Sequence, residues 1–117
     1  MTTFNTGLSL ALLASLAFAS AAQATPPVSP ENHQQFEKKF SEMCIEQEKK
    51  SMKGSGVLLS EVVSVCECIA REESKRVTSE EIKEFVFENQ YPASLMMKSN
   101  AATYTCVQAQ KSGSTTP

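Results

Sequence analysis

From Ser29 onward the apolar residues recur at helical spacing, and no stretch alternates as a strand does. A first helix is predicted to begin at Ser29-Pro30, where the serine can cap the helix and the proline suits its first turn. It ends at Gly54-Ser55-Gly56, and its inward face carries Phe36, Phe40, Met43 and Cys44. A broad apolar stripe predicts a second helix, which begins between Val57 and Ser60 and ends at about Lys75.

Two more helices follow in the C-terminal half of the chain. Thr78-Ser79-Glu80-Glu81 has the pattern of a capping box, so a third helix is predicted to start there and to stop near Asn89. Pro92 begins a fourth helix, on which Leu95, Ala102, Cys106 and Ala109 share one face. The predicted fold is all-α, a compact bundle of about four helices.

The N-terminal segment has the pattern of a secretory signal peptide. Leu8 to Ala22 is an apolar run followed by Ala22-Gln23-Ala24, which predicts a signal peptide over 1–24 that is cleaved after Ala24. The run is shorter than the roughly twenty residues of a membrane-spanning helix, and no second apolar stretch follows, so no stable membrane span is expected. We expect an exported protein, periplasmic or extracellular, with a single helical domain over 25–110 and a disordered tail over 111–117.

The four cysteines, Cys44, Cys66, Cys68 and Cys106, will meet an oxidising compartment after export, which favours two disulfides. Cys66 and Cys68 point about 200 degrees apart on one helix, so a bond between them is excluded. Two pairings remain open: 44 with 66 and 68 with 106, or 44 with 68 and 66 with 106. In either pairing the second helix is held to the first and to the fourth. If the turn between the first two helices centres on Ser55, Cys44 is level with Cys66, whereas a start at Ser60 favours Cys68.

Other chemistry for the cysteines is disfavoured by their spacing. A C-x-C inside a helix splays its sulfur atoms, whereas zinc or Cu(I) sites usually bring two cysteines together in a turn. Thiol oxidoreductases place a reactive cysteine at a helix N-terminus, and this pair is predicted to lie in mid-helix. The sequence therefore predicts disulfides and neither a metal site nor a cofactor.

Charge and motif content exclude several functions. The chain has 11 Lys and Arg residues against 13 acidic ones, so no basic surface indicates nucleic-acid binding. His33 is predicted to be solvated, and Glu72-Glu73 and Glu80-Glu81 to be solvated or to cap helix ends. Because no catalytic motif is present, we expect a protein that is not an enzyme. The alternating charges of the first helix predict a solvated face, which includes Lys38, Lys39, Lys49, Lys50 and Lys53.

The fourth helix carries more apolar residues than one buried face requires. Met97, Ala101 and Tyr104 form a second stripe, and Met96 and Val107 lie between the two stripes. Phe87 points away from the inward face of the third helix, and Tyr91 lies in the joining turn. One interpretation is a central helix that is buried all round. The other is an exposed patch for a protein partner or an acyl chain, formed by Phe87, Tyr91, Met96, Met97 and Tyr104.

The chain has a pattern of Cys44, Cys66-Glu67-Cys68, Thr78-Ser79-Glu80-Glu81 before Phe85, and Ala101-Ala102 before Cys106. In this pattern it resembles small exported proteins of Gram-negative bacteria with a C...C-x-C...C arrangement. The resemblance implies a helical, disulfide-bonded, extracytoplasmic product and no active site. A looser similarity of architecture is to plant non-specific lipid transfer proteins, which have eight cysteines. The leading hypothesis is a non-enzymatic exported module that binds a protein partner, and the alternative is a carrier of an acyl lipid or of a Cu or Zn ion.

Overall fold

The computed structural model describes residues 26–113, and in this range the chain is helical with no strand. Three long helices dominate, and a short helix continued by a π-helical turn links the second to the last. The elements are α1 (Pro30–Ser51), α2 (Leu59–Ser74), α3 (Ser79–Ile82), a π-helical segment (Lys83–Phe87) and α4 (Ala93–Gly113). The all-α fold with about four helices and two disulfides is confirmed.

Both ends of the chain extend beyond these residues. The predicted signal peptide, 1–24, and its cleavage site lie outside the described residues. Helix α4 continues through Gly113, so it includes the first three residues of the predicted tail, and 114–117 lie outside the described range.

Local sequence signals account for two of the helix starts. Ser29 caps α1 by accepting a hydrogen bond from the Asn32 amide at 3.2 Å. Thr78 and Glu81 form the predicted capping box: the Glu81 amide donates to the threonine hydroxyl at 3.2 Å, and the Thr78 amide donates to the Glu81 carboxylate at 2.8 Å. Helix α2 differs, because the residue before it is Leu58, which offers no side-chain cap.

Helix α2 lies at the centre, with α1 packed on one side and α4 on the other. Helix α1 runs antiparallel to α2, since His33 meets Ser74 near one end and Cys44 is bonded to Cys66 further along. The core at the His33 end is aromatic, and α3 with its π-helical turn closes it. Its buried members include Phe36, Phe40, Ile69, Ile82, Phe85 and Leu95.

The structure resolves the disulfide pairing as Cys44 with Cys66 and Cys68 with Cys106, with Cα–Cα distances of 5.7 and 6.0 Å. The pairing follows from the turn between α1 and α2. Gly54 and Gly56 take positive φ angles of 84° and 73°, which glycine adopts without strain, and they place the reversal at Ser55. Cys44 and Cys66 are equidistant in sequence from Ser55, so they lie level on the two helices.

Lys39 does not belong to a solvated face, contrary to the prediction. Its ammonium group donates to the carbonyl oxygens of Phe85 at 2.6 Å and Val86 at 3.1 Å, and to the Asn89 side chain at 2.6 Å. Asn89 has a positive φ of 55°, where the chain leaves the helix. Lys39 therefore supplies donors to carbonyl groups that the end of the π-helical segment leaves without helical partners.

Candidate functional site

A groove runs along α2 between α1 and α4, with a volume of about 1140 Å³. It lies between α1 and α4, which pack on different sides of α2. At its base Val62, Cys66 and Ile69 are buried and Val65 is half-buried. The floor consists of α2 residues, and the two walls come from the flanking helices. The floor carries Val62, Val65, Cys66 and Ile69, the α1 wall Phe40, Met43, Cys44 and Gln47, and the α4 wall Met96, Ser99, Asn100 and Thr103.

Aromatic side chains close one end of the groove. Tyr91 and Phe40 both line it, and the Tyr91 ring meets the buried Phe85 ring edge-on with centroids 5.6 Å apart. Phe85 in turn packs against Phe36 at a centroid distance of 5.4 Å. Burial raises the pKa of the Tyr91 hydroxyl, and the nearby Glu73 adds to that rise. This end of the groove is therefore an aromatic wall continuous with the core.

The opposite end is open and apolar, and two carboxylates line it. Val57, which lines the groove there, and the neighbouring Leu58 are both exposed, Leu58 to 62% of its surface. Glu48 of α1 and Glu61 of α2 also line the groove, whereas the lining includes no Lys, Arg or His. An occupant of the groove thus meets an apolar floor and two carboxylates at its mouth.

The outer face of α4 is exposed, so the interpretation of a helix buried all round is wrong. Met97 exposes 74% of its surface and Tyr104 69%, while Leu95, Ala102 and Cys106 on the other face are buried. Met97 and Tyr104 lie seven residues apart and so share one side of the helix.

The structure brings together some of the predicted partner-binding residues and separates others. Tyr91 and Met96 both line the groove. Met97 and Tyr104 form a ridge about 80 to 100 degrees further around α4 than Met96, so the groove and the ridge adjoin. Phe87 is 60% exposed at the end of the π-helical segment, as predicted from its outward position, and it does not line the groove.

Sequence reasoning missed the contribution of α1 and α2 to this surface. Met43, predicted to lie on the inward face of the first helix, lines the groove together with Val65 of α2. Val57, Leu58 and Leu59, three consecutive apolar residues at an uncapped helix start, are the signal that was available, since all three are exposed.

A buried acidic cluster lies beside the closed end of the groove. The Lys98 ammonium group donates to both Glu81 carboxylate oxygens at 2.7 and 2.6 Å. Burial alone raises the pKa of Glu81, but the hydrogen bonds from Lys98 and from the Thr78 amide outweigh it and hold the pKa below its usual value. Glu81 is therefore an ionised, paired carboxylate that also caps α3.

Glu73 was predicted to be solvated or to cap a helix end, and that prediction is wrong. The side chain is fully buried, and neither of its carboxylate oxygens has a hydrogen-bond partner. Burial, reinforced by the negative charge of Glu81, raises the pKa of Glu73 from 4.5 to about 8. The group is consequently protonated at neutral pH.

His33 was predicted to be solvated, and that prediction is wrong because the side chain is half-buried. Its Nδ1 atom lies 2.8 Å from the hydroxyl oxygen of Ser74, which is itself buried. This contact joins the start of α1 to the end of α2, so His33 has a structural position away from the groove.

The cysteines are engaged in covalent bonds. All four sulfur atoms are held in the two disulfides, so a thiolate site for zinc or copper would require their reduction. Within residues 26–113 no group of three or more His, Cys, Asp or Glu side chains is placed to hold a metal ion. No helix in the same range has the length and apolar character that crossing a membrane demands.

Comparisons with protein-family models, with curated proteins and with solved structures found no match to this chain.

Proposed function

We propose that this protein is a non-enzymatic exported helical module that binds a protein partner through the apolar surface formed by the groove and the adjoining ridge of α4. The observation that carries the proposal is the exposure of Met96 (56%), Met97 and Tyr104 on a helix whose other face is buried and disulfide-bonded. Large apolar side chains grouped on one surface mark interaction sites, and methionine adapts to irregular partners.

The composition of this surface supports a protein partner. An apolar floor is bordered by amide and hydroxyl side chains, Gln47, Ser99, Asn100 and Thr103. Interfaces between proteins commonly have such an apolar centre with a polar rim, and tyrosine and methionine are enriched in them. The two disulfides support export, since they form and persist in oxidising compartments such as the periplasm and the extracellular space.

The double variant Met97→Glu with Tyr104→Lys tests the proposal. Because both side chains are exposed, the variant should unfold at nearly the parent temperature and should lose the partners that the parent protein captures from an extract of its native host. Thr105→Glu with Ser112→Lys is the matched control, since it places the same charges seven residues apart at exposed polar positions of α4 outside both the groove and the ridge, and it should retain capture.

Capture that is equal for the two double variants would refute a role for the ridge. A ridge variant that fails to fold would show that Met97 and Tyr104 contribute to the core, and the proposal would be lost.

A carrier of an acyl ligand is the second candidate, and the volume and apolar floor of the groove favour it. An acyl carboxylate would, however, meet Glu48 and Glu61 at the open end and no cation among the lining residues. Native mass spectrometry of protein purified from its host separates the candidates, because a carrier retains an adduct and a partner-binding module shows the mass of the oxidised chain alone. The same spectrum would reveal bound copper or zinc.

A further inference from the structure

We infer that the groove takes one amphipathic α-helix of a partner protein, about three turns long, with basic residues at the end that lies beside Glu48 and Glu61. The inference rests on the proposed function and specifies the chemistry of the partner at the same surface.

The dimensions of the groove fit a helix. Its floor extends along α2 from Glu61 to Ile69, about 12 Å at the rise of an α-helix, and its α4 wall extends from Met96 to Gln110, about 21 Å. A helix laid over this floor contacts α1, α2 and α4 together, as the fourth helix of a bundle does. Its apolar residues would recur three and four positions apart, as in other complexes that hold a helix in a groove.

The ends of the groove set the direction of the partner. The closed end offers Phe40 and Tyr91, and no charged side chain lines it. At the open end, Glu48 and Glu61 come from two different helices and converge on the same space. Neither carboxylate belongs to an ion pair in the described part of the chain, so both can receive cations from a partner.

This charge distribution distinguishes the partner from other occupants. The carboxylate of an acyl chain would lie near the two carboxylates at the mouth of the groove, and repulsion between like charges opposes binding. A second copy of this chain would have to present a helix that is apolar on one face and basic at one end. Helix α1 carries Lys49 and Lys50 in its last turn, but its apolar face is already packed on α2. Helix α4 exposes an apolar ridge, but its last turn has a single basic residue, Lys111, to set against two carboxylates.

Fluorescence anisotropy with synthetic peptides tests the inference. The probe is a labelled Leu/Lys peptide of about 14 residues, with leucines at helical spacing and lysines at one end. A Leu/Glu peptide of the same pattern and a scrambled Leu/Lys peptide serve as matched probes. The oxidised protein should bind the patterned Leu/Lys peptide in preference to both others.

Protein variants assign the binding to the groove. Glu48→Gln with Glu61→Gln should weaken binding of the Leu/Lys peptide by about fivefold, since each exposed ion pair contributes modestly. Glu42→Gln with Glu67→Gln is the control: it removes one charge from each of the same two helices outside the groove and should leave the affinity unchanged. Met96→Glu, at a half-exposed groove position, should abolish binding.

The outcomes separate this inference from the proposed function. If the Leu/Lys and Leu/Glu peptides bind equally and Met96→Glu abolishes both, the groove binds helices and only the basic partner is refuted. Equal weakening by the two pairs of Gln substitutions would show an effect of overall acidity and would also overturn the inference.

Two further outcomes identify other occupants. Binding of a dansylated fatty acid with no binding of any peptide would overturn both the inference and the proposed function. Self-association in sedimentation equilibrium that Met96→Glu removes would make a second copy the occupant and refute the basic helix.

Discussion

Replacing the buried Glu73 by Gln should abolish most of the pH dependence of stability between pH 5 and pH 7.5. The carboxyl group is fully buried without a hydrogen-bond partner, and its pKa is raised from 4.5 to about 8. Between these two pKa values the unfolded chain loses the proton while the folded chain keeps it. The folded state then binds more protons, so the free energy of unfolding falls as the pH rises.

The magnitude follows from the two pKa values. Each pH unit between the two pKa values lowers the free energy of unfolding by up to about 1.4 kcal/mol. The destabilisation caused by Glu73 therefore grows by about 3 kcal/mol between pH 5 and pH 7.5. A glutamine side chain at this position would have a similar shape and no proton to lose. The variant should therefore resemble the parent at pH 5 and exceed its stability by about 3 kcal/mol at pH 7.5, which is a large fraction of the stability of a small domain.

Urea unfolding followed by circular dichroism at a series of pH values measures this effect. The quantity of interest is the difference between variant and parent at each pH, because contributions from other titrating groups then cancel. Glu67→Gln, at an exposed position of the same helix, is the control and should follow the parent curve. A Glu73→Gln curve that runs parallel to the parent curve from pH 5 to pH 7.5 would refute the reasoning.

Two further predictions concern the links between helices. Replacing Cys68 and Cys106 together by Ala should lower the free energy of unfolding by about 4 kcal/mol, because the bond closes a loop of 38 residues; an unchanged urea midpoint would contradict this. Lys39→Met should cost about 2 kcal/mol by removing charged donors from the end of the π-helical segment. Lys38→Met, at the exposed neighbouring position, is its control, and an equal urea midpoint for these two variants would show that Lys39 has no capping role.

The helices could be predicted because local residues determine where they begin and end. Ser29, Pro30 and the Thr78–Glu81 capping box act within a single turn, so their effect can be read without knowledge of the fold. The disulfide pairing was not determined, since it depends on the register between α1 and α2. That register follows from the positive φ angles of Gly54 and Gly56, and a glycine in a turn can take either sign of φ.

The site was harder to predict because it depends on which helix faces remain uncovered. Periodicity marks a face as apolar but gives no information on whether a neighbouring helix packs on it. The same limit explains Glu73 and Lys39. Both are charged residues in sequences that resemble solvated helix faces. They meet other elements only because α3, its π-helical turn and α4 pack beside them.

The two disulfides and the open groove are parts of the same arrangement. A small helical domain usually gains stability by burying the apolar faces of its helices against one another, because apolar residues that stay exposed contribute nothing to folding. Here each flanking helix is bonded to α2, and the Cys44–Cys66 bond itself lies in the lining of the groove. The covalent links fix both walls and constrain the unfolded chain, so apolar side chains on those walls, Met43 and Met96, can stay exposed. The disulfides thus hold the helices in place, and apolar side chains stay exposed on the domain.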